Sequence, residues 1–148
     1  LLRDAVDALA SASGRGAWSR LPAGLVHGDL FRDNALFEGE ALTGVIDFHH
    51  AARAPLAFDL AVAAMDWCPE PDGRLDGART LAMLAAYDRN RRLVREELWL
   101  WPLLLVLACA RFLVARLHSP RKPPEEMAAR LADRLARPMY LHPELLTP

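Results

Sequence analysis

From Leu98 to Ala110 the chain runs thirteen residues without a charge, "LWLWPLLLVLACA". The run is shorter than the roughly 20 apolar residues that a bilayer-spanning helix needs. It is also apolar on every side, so it does not suit a surface helix. What remains is the middle of a central helix, from about Val94 to His118, with the rest of the chain packed around it. The 148 residues, 53% of them hydrophobic, are enough for one domain with a real core.

The other periodic segments fit that frame. Residues 1–11 read as a helix with Leu1, Val6, Leu9 and Ala10 near one face. "AGLVHGD" reads as a short strand running into a polar loop, and "NALFEGEALTGVIDF" as a hairpin turning at Glu38-Gly39-Glu40. "HHAARAPLAF" reads as loop, because Pro55 excludes helix there. From Asp59, a good N-cap residue, the pattern turns helical. A first helix ends at Pro69, Pro71 and Gly73. A second spans 75–89, with Leu81, Leu84, Ala85 and Asp88 at helical spacing. The long apolar helix follows, "SPRKPP" breaks it, and a last helix from about Pro124 to Ala136 carries Met127, Leu131 and Leu135 on one stripe. The expected fold class is α+β and mostly helical: a short β-hairpin carrying polar loops, packed on a helical bundle.

Net charge is −1, so electrostatics give no reason to expect a nucleic-acid or membrane partner. Cys68 and Cys109 lie in apolar segments without metal or disulfide spacing. They read as buried free thiols of a reducing, cytoplasmic setting.

The chemistry concentrates in "HGDLFRDN", residues 27–34, and in Asp47, which ends the second hairpin strand. Asp29 and Asn34 are five residues apart on a loop. Asn34 and Asp47 offer an amide oxygen and a carboxylate, the hard donors that Mg²⁺ shares with substrate phosphates. Asp29 would then be free to take a proton from a substrate hydroxyl. Such a division of labour is that of phosphoryl transfer by kinases: a loop Asp as base, an Asn five residues on, and a following Asp on metal. Each residue alone is better read as a turn former; the set together favours a site.

These motifs, "LVHGDLFRDNALF", "GVIDF" and "PLAFDLA", resemble the aminoglycoside phosphotransferase and choline kinase superfamily, which has a protein-kinase-like fold. Within it, residues 25–68 look most like the bacterial homoserine kinases of this fold, and "ARFLVARL" is similar too. The resemblance implies Asp29 as catalytic base, Asn34 and Asp47 on Mg²⁺, ATP as co-substrate, and a small hydroxylated metabolite as acceptor, homoserine first. His27 would brace the loop, and Asp59 matches an Asp of structural role. The family has an aromatic where this chain has His49 and His50, and either could line the acceptor pocket. As adjacent residues of an extended chain they would point apart and not share one ion.

Arg32 could hold a phosphate or the acceptor's carboxylate, with Arg53 a weaker candidate. Asp66 and Trp67 are expected in packing and surface roles, Trp99 and Trp101 in the core, and "RNRR" and "PRK" as solvated turns. No phosphate-binding Lys, Glu partner or adenine hinge is visible, so cofactor-binding residues stay unassigned. The one lysine, Lys122, sits among prolines. With "LLRDAVDALA" reading as a helix already under way, the expectation is the C-terminal lobe of a kinase-like protein over 1–148. Residues 1–24 would be helix and loop, 25–58 the catalytic and metal-binding loops, and 59–148 a helical subdomain. The nucleotide-binding lobe would be missing upstream, and this piece alone inactive. An aminoglycoside or choline-type acceptor is the near alternative. A non-catalytic remnant serving as a binding module is the alternative from another class.

Overall fold

The computed structural model describes residues 1–14, 16–118, 125–142 and 144. The run "SPRKPP", with Lys122 and the Pro-Arg-Lys turn inside it, lies outside the described residues. The elements in chain order are α1 (Leu2–Gly14), β1 (Ala23–Val26), β2 (Ala35–Glu38), β3 (Ala41–Val45), β4 (Ala52–Pro55), α2 (Ala57–Trp67), α3 (Gly77–Asn90), α4 (Arg95–Leu117) and α5 (Glu125–Ala136). Among the described residues the fold is mostly helical, with two small antiparallel sheets.

Helix α4 is the centre. Leu100, Trp101, Leu104, Leu105, Ala108 and Cys109 on it are buried, and α1, α2 and α5 pack around it. Each fully buried leucine contributes roughly 1.5–3 kcal/mol relative to exposure. By length and composition all 23 residues of α4 could cross a bilayer, which the thirteen-residue run alone understates. In this fold it is the core helix. Its first turn is closed by Glu97, whose carboxylate accepts the Val94 N–H at 3.0 Å and the Arg91 guanidinium at 2.6 Å. Glu97 is 1% exposed, so this pairing is what makes its burial tolerable. Arg92 likewise pairs with buried Asp88 while its own side chain is 79% exposed; "RNRR" is largely solvated, as expected, with Arg89 and Asn90 closing α3.

Strand β1 pairs with β4, Leu25 opposite Arg53 and Val26 opposite Ala52; β2 pairs with β3, Ala35 opposite Val45. The hairpin is where the sequence put it, turning through Gly39 at φ +61°. Strand β4 corrects the reading of "HHAARAPLAF" as loop. Pro55 sits at the end of the strand in a two-stranded sheet, a position where a missing N–H is tolerated. Two further expectations shift. The inward face of α1 carries Leu2, Ala5, Leu9 and Ala12, whereas Val6 is exposed. Trp101 is core but Trp99, two residues away, is 58% exposed. The α5 stripe holds at Met127 and Leu131, and Arg130 and Arg134 are buried beside it, donating to the carbonyls of Met65 and Gly73. Both cysteines are buried and free; burial pushes the Cys109 thiol up to about 11.

Candidate active site

The loop after β1 is held from below by the side of α2. Asp59 lies in the first turn of that helix, and its two carboxylate oxygens accept the N–H groups of His27 at 2.6 Å and Gly28 at 2.7 Å. Charge-assisted bonds to two successive amides fix the direction in which the chain leaves the strand. The helix begins at Ala57, two residues earlier than expected, with Leu56 as cap. Asp59 is therefore not the N-cap; its carboxylate turns to the loop, near the positive end of the helix.

Gly28 has φ +78°, and a Cβ there would lie 2.7 Å from the His50 carbonyl oxygen. Only glycine fits both the left-handed backbone and that close approach. His27 is 6% exposed and ties three segments together. Its Nδ1 accepts the Asp29 N–H at 3.2 Å, so Nε2 carries the proton and donates to the Ile46 carbonyl at 2.8 Å. The loop and the end of β3 are thereby joined.

Asn34 completes the link. Its amide nitrogen donates to the Asp29 carbonyl at 2.8 Å and to the Asp29 carboxylate at 3.2 Å. Its own carbonyl accepts the Ile46 N–H at 3.0 Å, and Asp47 follows at once. With the N–H₂ group committed to Asp29, the amide oxygen of Asn34 is the part left for a cation. Asp47 has φ +67° and ψ +57°, the one non-glycine at positive φ among the described residues. That conformation costs about 1–2 kcal/mol. Asp47 bonds His49 Nδ1, and the rings of His49 and His50 lie 4.0 Å apart. The expectation that the two histidines point to opposite sides fails, because Phe48–His50 is a tight helical turn and not extended chain.

The donor chemistry fits magnesium. One amide oxygen and one carboxylate are hard ligands, and Mg²⁺ completes its octahedron with water and phosphate oxygens. Among the described residues no three His, Cys, Asp or Glu side chains gather into a metal cluster, and a site of this kind needs none.

Three contacts to the loop went unread in the sequence. Asp66 accepts the Arg32 N–H at 2.9 Å and the Arg32 Nε at 3.2 Å. It is 9% exposed and not a surface residue, and it occupies the arginine expected near substrate. Trp67 Nε1 donates to the Leu30 carbonyl at 3.3 Å. Arg111, on the core helix, donates to the Gly28 carbonyl at 2.6 Å. A signal for Asp66 was present: it lies two helical turns after Asp59, on the same face. Arg53 stands exposed on β4.

The model of the phosphotransferase enzyme family matches residues 2–96. The chain is 42% identical over 123 residues to a homoserine kinase of Pseudomonas aeruginosa (strain LESB58), covering 77% of this chain and 39% of that protein. It is 46% identical over 100 residues to a homoserine kinase of Methylobacillus flagellatus, covering 68% and 31%. It is 37% identical over 142 residues to a homoserine kinase of Rhizobium etli, covering 95% and 42%. The chain thus spans less than half the length of these curated relatives.

Proposed function

The chain belongs to the phosphotransferase enzyme family, and we propose that it forms the C-terminal lobe of an ATP-dependent small-molecule kinase whose acceptor is homoserine. The observation that carries this reading is the contact of Asn34 with Asp29, at 3.2 Å between side chains, on a loop clamped by Asp59. It sets side by side the two groups that this reading assigns to base and metal ligand. The names of the relatives support homoserine as acceptor.

In this reading Asp29 orients the acceptor hydroxyl and takes its proton as the bond to phosphorus forms. The Asn34 amide holds that carboxylate in place, and the Asp59 clamp holds the peptide beneath it. His27 keeps the loop in register with Asp47. Magnesium held by the Asn34 amide oxygen and the Asp47 carboxylate would draw off charge from the phosphoryl oxygens of ATP. The transition state is loose, so most of the rate comes from position and electrostatics. The phosphate-binding lysine and the adenine contacts would come from a preceding lobe, in a cytoplasmic enzyme.

The test is a panel of hydroxylated metabolites with ATP and Mg²⁺, run on the full-length gene product. Phosphorylation of homoserine is expected. Phosphorylation of aminoglycosides or choline in its place would overturn the acceptor, and no phosphorylation of any would overturn the kinase.

A further inference from the structure

We infer that Arg111 binds the carboxylate of the acceptor. This rests on the proposed reading of the site as one for an amino-acid hydroxyl, and it supplies the anion-binding group such a substrate needs. Arg111 stands on α4, far along the chain from the loop, yet its Nη1 lies 2.6 Å from the Gly28 carbonyl. That carbonyl belongs to the peptide bond leading into Asp29. On this inference, a short amino acid with its hydroxyl on the Asp29 carboxylate meets that cation with its own carboxylate.

The side chain is positioned and lacks an anion. Its guanidinium carbon is 4.5 Å from the centre of the Phe112 ring, and Phe112 meets Phe31 of the loop edge-on at 4.6 Å. Among the described residues it makes no ion pair, and its hydrogen bond goes to one neutral carbonyl. The other arginines drawn into the body of the fold have carboxylate partners: Arg91 on Glu97, Arg116 and Arg130 on Glu126, Arg134 on Asp133. A half-buried guanidinium with N–H groups to spare is a poor structural choice unless an anion arrives to meet it. Its planar fork suits a carboxylate. The cations suggested by sequence are less suited: Arg32 is held by Asp66, and His49 by Asp47.

The experiment compares homoserine with 3-amino-1-propanol, the same molecule without its carboxylate, on the full-length gene product. The wild type should favour homoserine at least about 100-fold in kcat/KM, a floor below the roughly 10⁴-fold discrimination that a site built to bond a polar group can reach. Arg111→Met should raise the KM for homoserine about 100-fold while lowering the turnover of 3-amino-1-propanol only by the few-fold that loss of its bond to the Gly28 carbonyl costs, and Arg111→Lys should fall between. Equal losses on both acceptors would show that Arg111 only steadies the loop, and would overturn the inference. A wild type that does not discriminate overturns it too, whatever the variants do. A wild type active on neither acceptor, yet active on choline or an aminoglycoside, fails the homoserine reading itself.

Discussion

The Asp59 carboxylate lies 2.7 Å from the Gly28 amide, although 31 residues separate the two. With the 2.6 Å bond to His27, it fixes the start of the loop from a rigid helix. A bond to a charged group contributes about 1.5–3 kcal/mol, and an amide left without a partner costs a similar amount. Asp59→Ala should therefore lose about 3 kcal/mol in chemical denaturation and Asp59→Asn about half that. Both should lower kcat at least tenfold, because the peptide beneath Asp29 would drift. Kinetics and denaturation of the two variants check this; an unchanged kcat would show that the clamp does not set the loop.

Gly28 and Gly39 both have positive φ, and their surroundings separate two costs. An alanine Cβ at 28 would meet the His50 carbonyl at 2.7 Å, whereas at 39 it would meet nothing within 4 Å. Gly39→Ala should lose only the left-handed penalty, about 1 kcal/mol. Gly28→Ala should lose that and more, at least about 3 kcal/mol in all, since backbone and not a flexible side chain stands in the way. Thermal melts of the two variants under one condition measure the difference.

The pH dependence of stability has one well-placed contributor. Asp76 caps α3, accepting the Arg79 N–H at 2.9 Å and pairing with the Arg79 guanidinium at 2.6 Å. The Arg79 N–H first, and then its guanidinium, pull this carboxyl from the usual 3.8 down to about 2. The folded state thus favours the ionised form. Its stabilisation is complete above the unfolded value and is lost as pH falls through the folded one. The melting temperature gap between wild type and Asp76→Ala should be flat from about pH 5 upward and close between about pH 4 and pH 2. A gap that persists unchanged to pH 2 would remove Asp76 from the account.

What the sequence disclosed follows from where the determinants lie. The loop 27–34 and Asp47 are legible because short oxygen-bearing side chains stand at fixed offsets between strand-like runs. The central helix is legible because an uncharged run of that length has nowhere else to go. Strand β4 is not, since four residues with a terminal proline hold no readable alternation. Arg111, Trp67 and Asp66 are not, since each bonds the loop across 34 to 83 residues of chain. Such contacts depend on how helices cross, which no local window contains. The face of α1 was misplaced for a related reason: on an alanine-rich helix, one apolar stripe is nearly as good as the next until a partner selects it.

The assignment of separate roles to Asp29 and Asn34 can be tested by taking each away. Asp29→Asn keeps an oxygen able to accept from Asn34 Nδ2, and the backbone bonds from the Asn34 side chain and the Phe31 N–H to the Asp29 carbonyl do not involve the replaced group. The loop should stay in place, with stability within about 1 kcal/mol of wild type. The proton acceptor is gone, so kcat should fall roughly 10²–10⁴-fold, with the Mg²⁺ concentration for half-maximal rate unchanged. Asn34→Ala removes the amide oxygen proposed for the cation and also releases the Asp29 carboxylate. It should lower kcat and also raise the Mg²⁺ requirement about tenfold or more. Turnover at several Mg²⁺ concentrations, with a melting curve for each variant, distinguishes the two. If Asp29→Asn keeps most of its turnover, or if the two variants shift the Mg²⁺ dependence alike, the division between base and metal ligand does not hold.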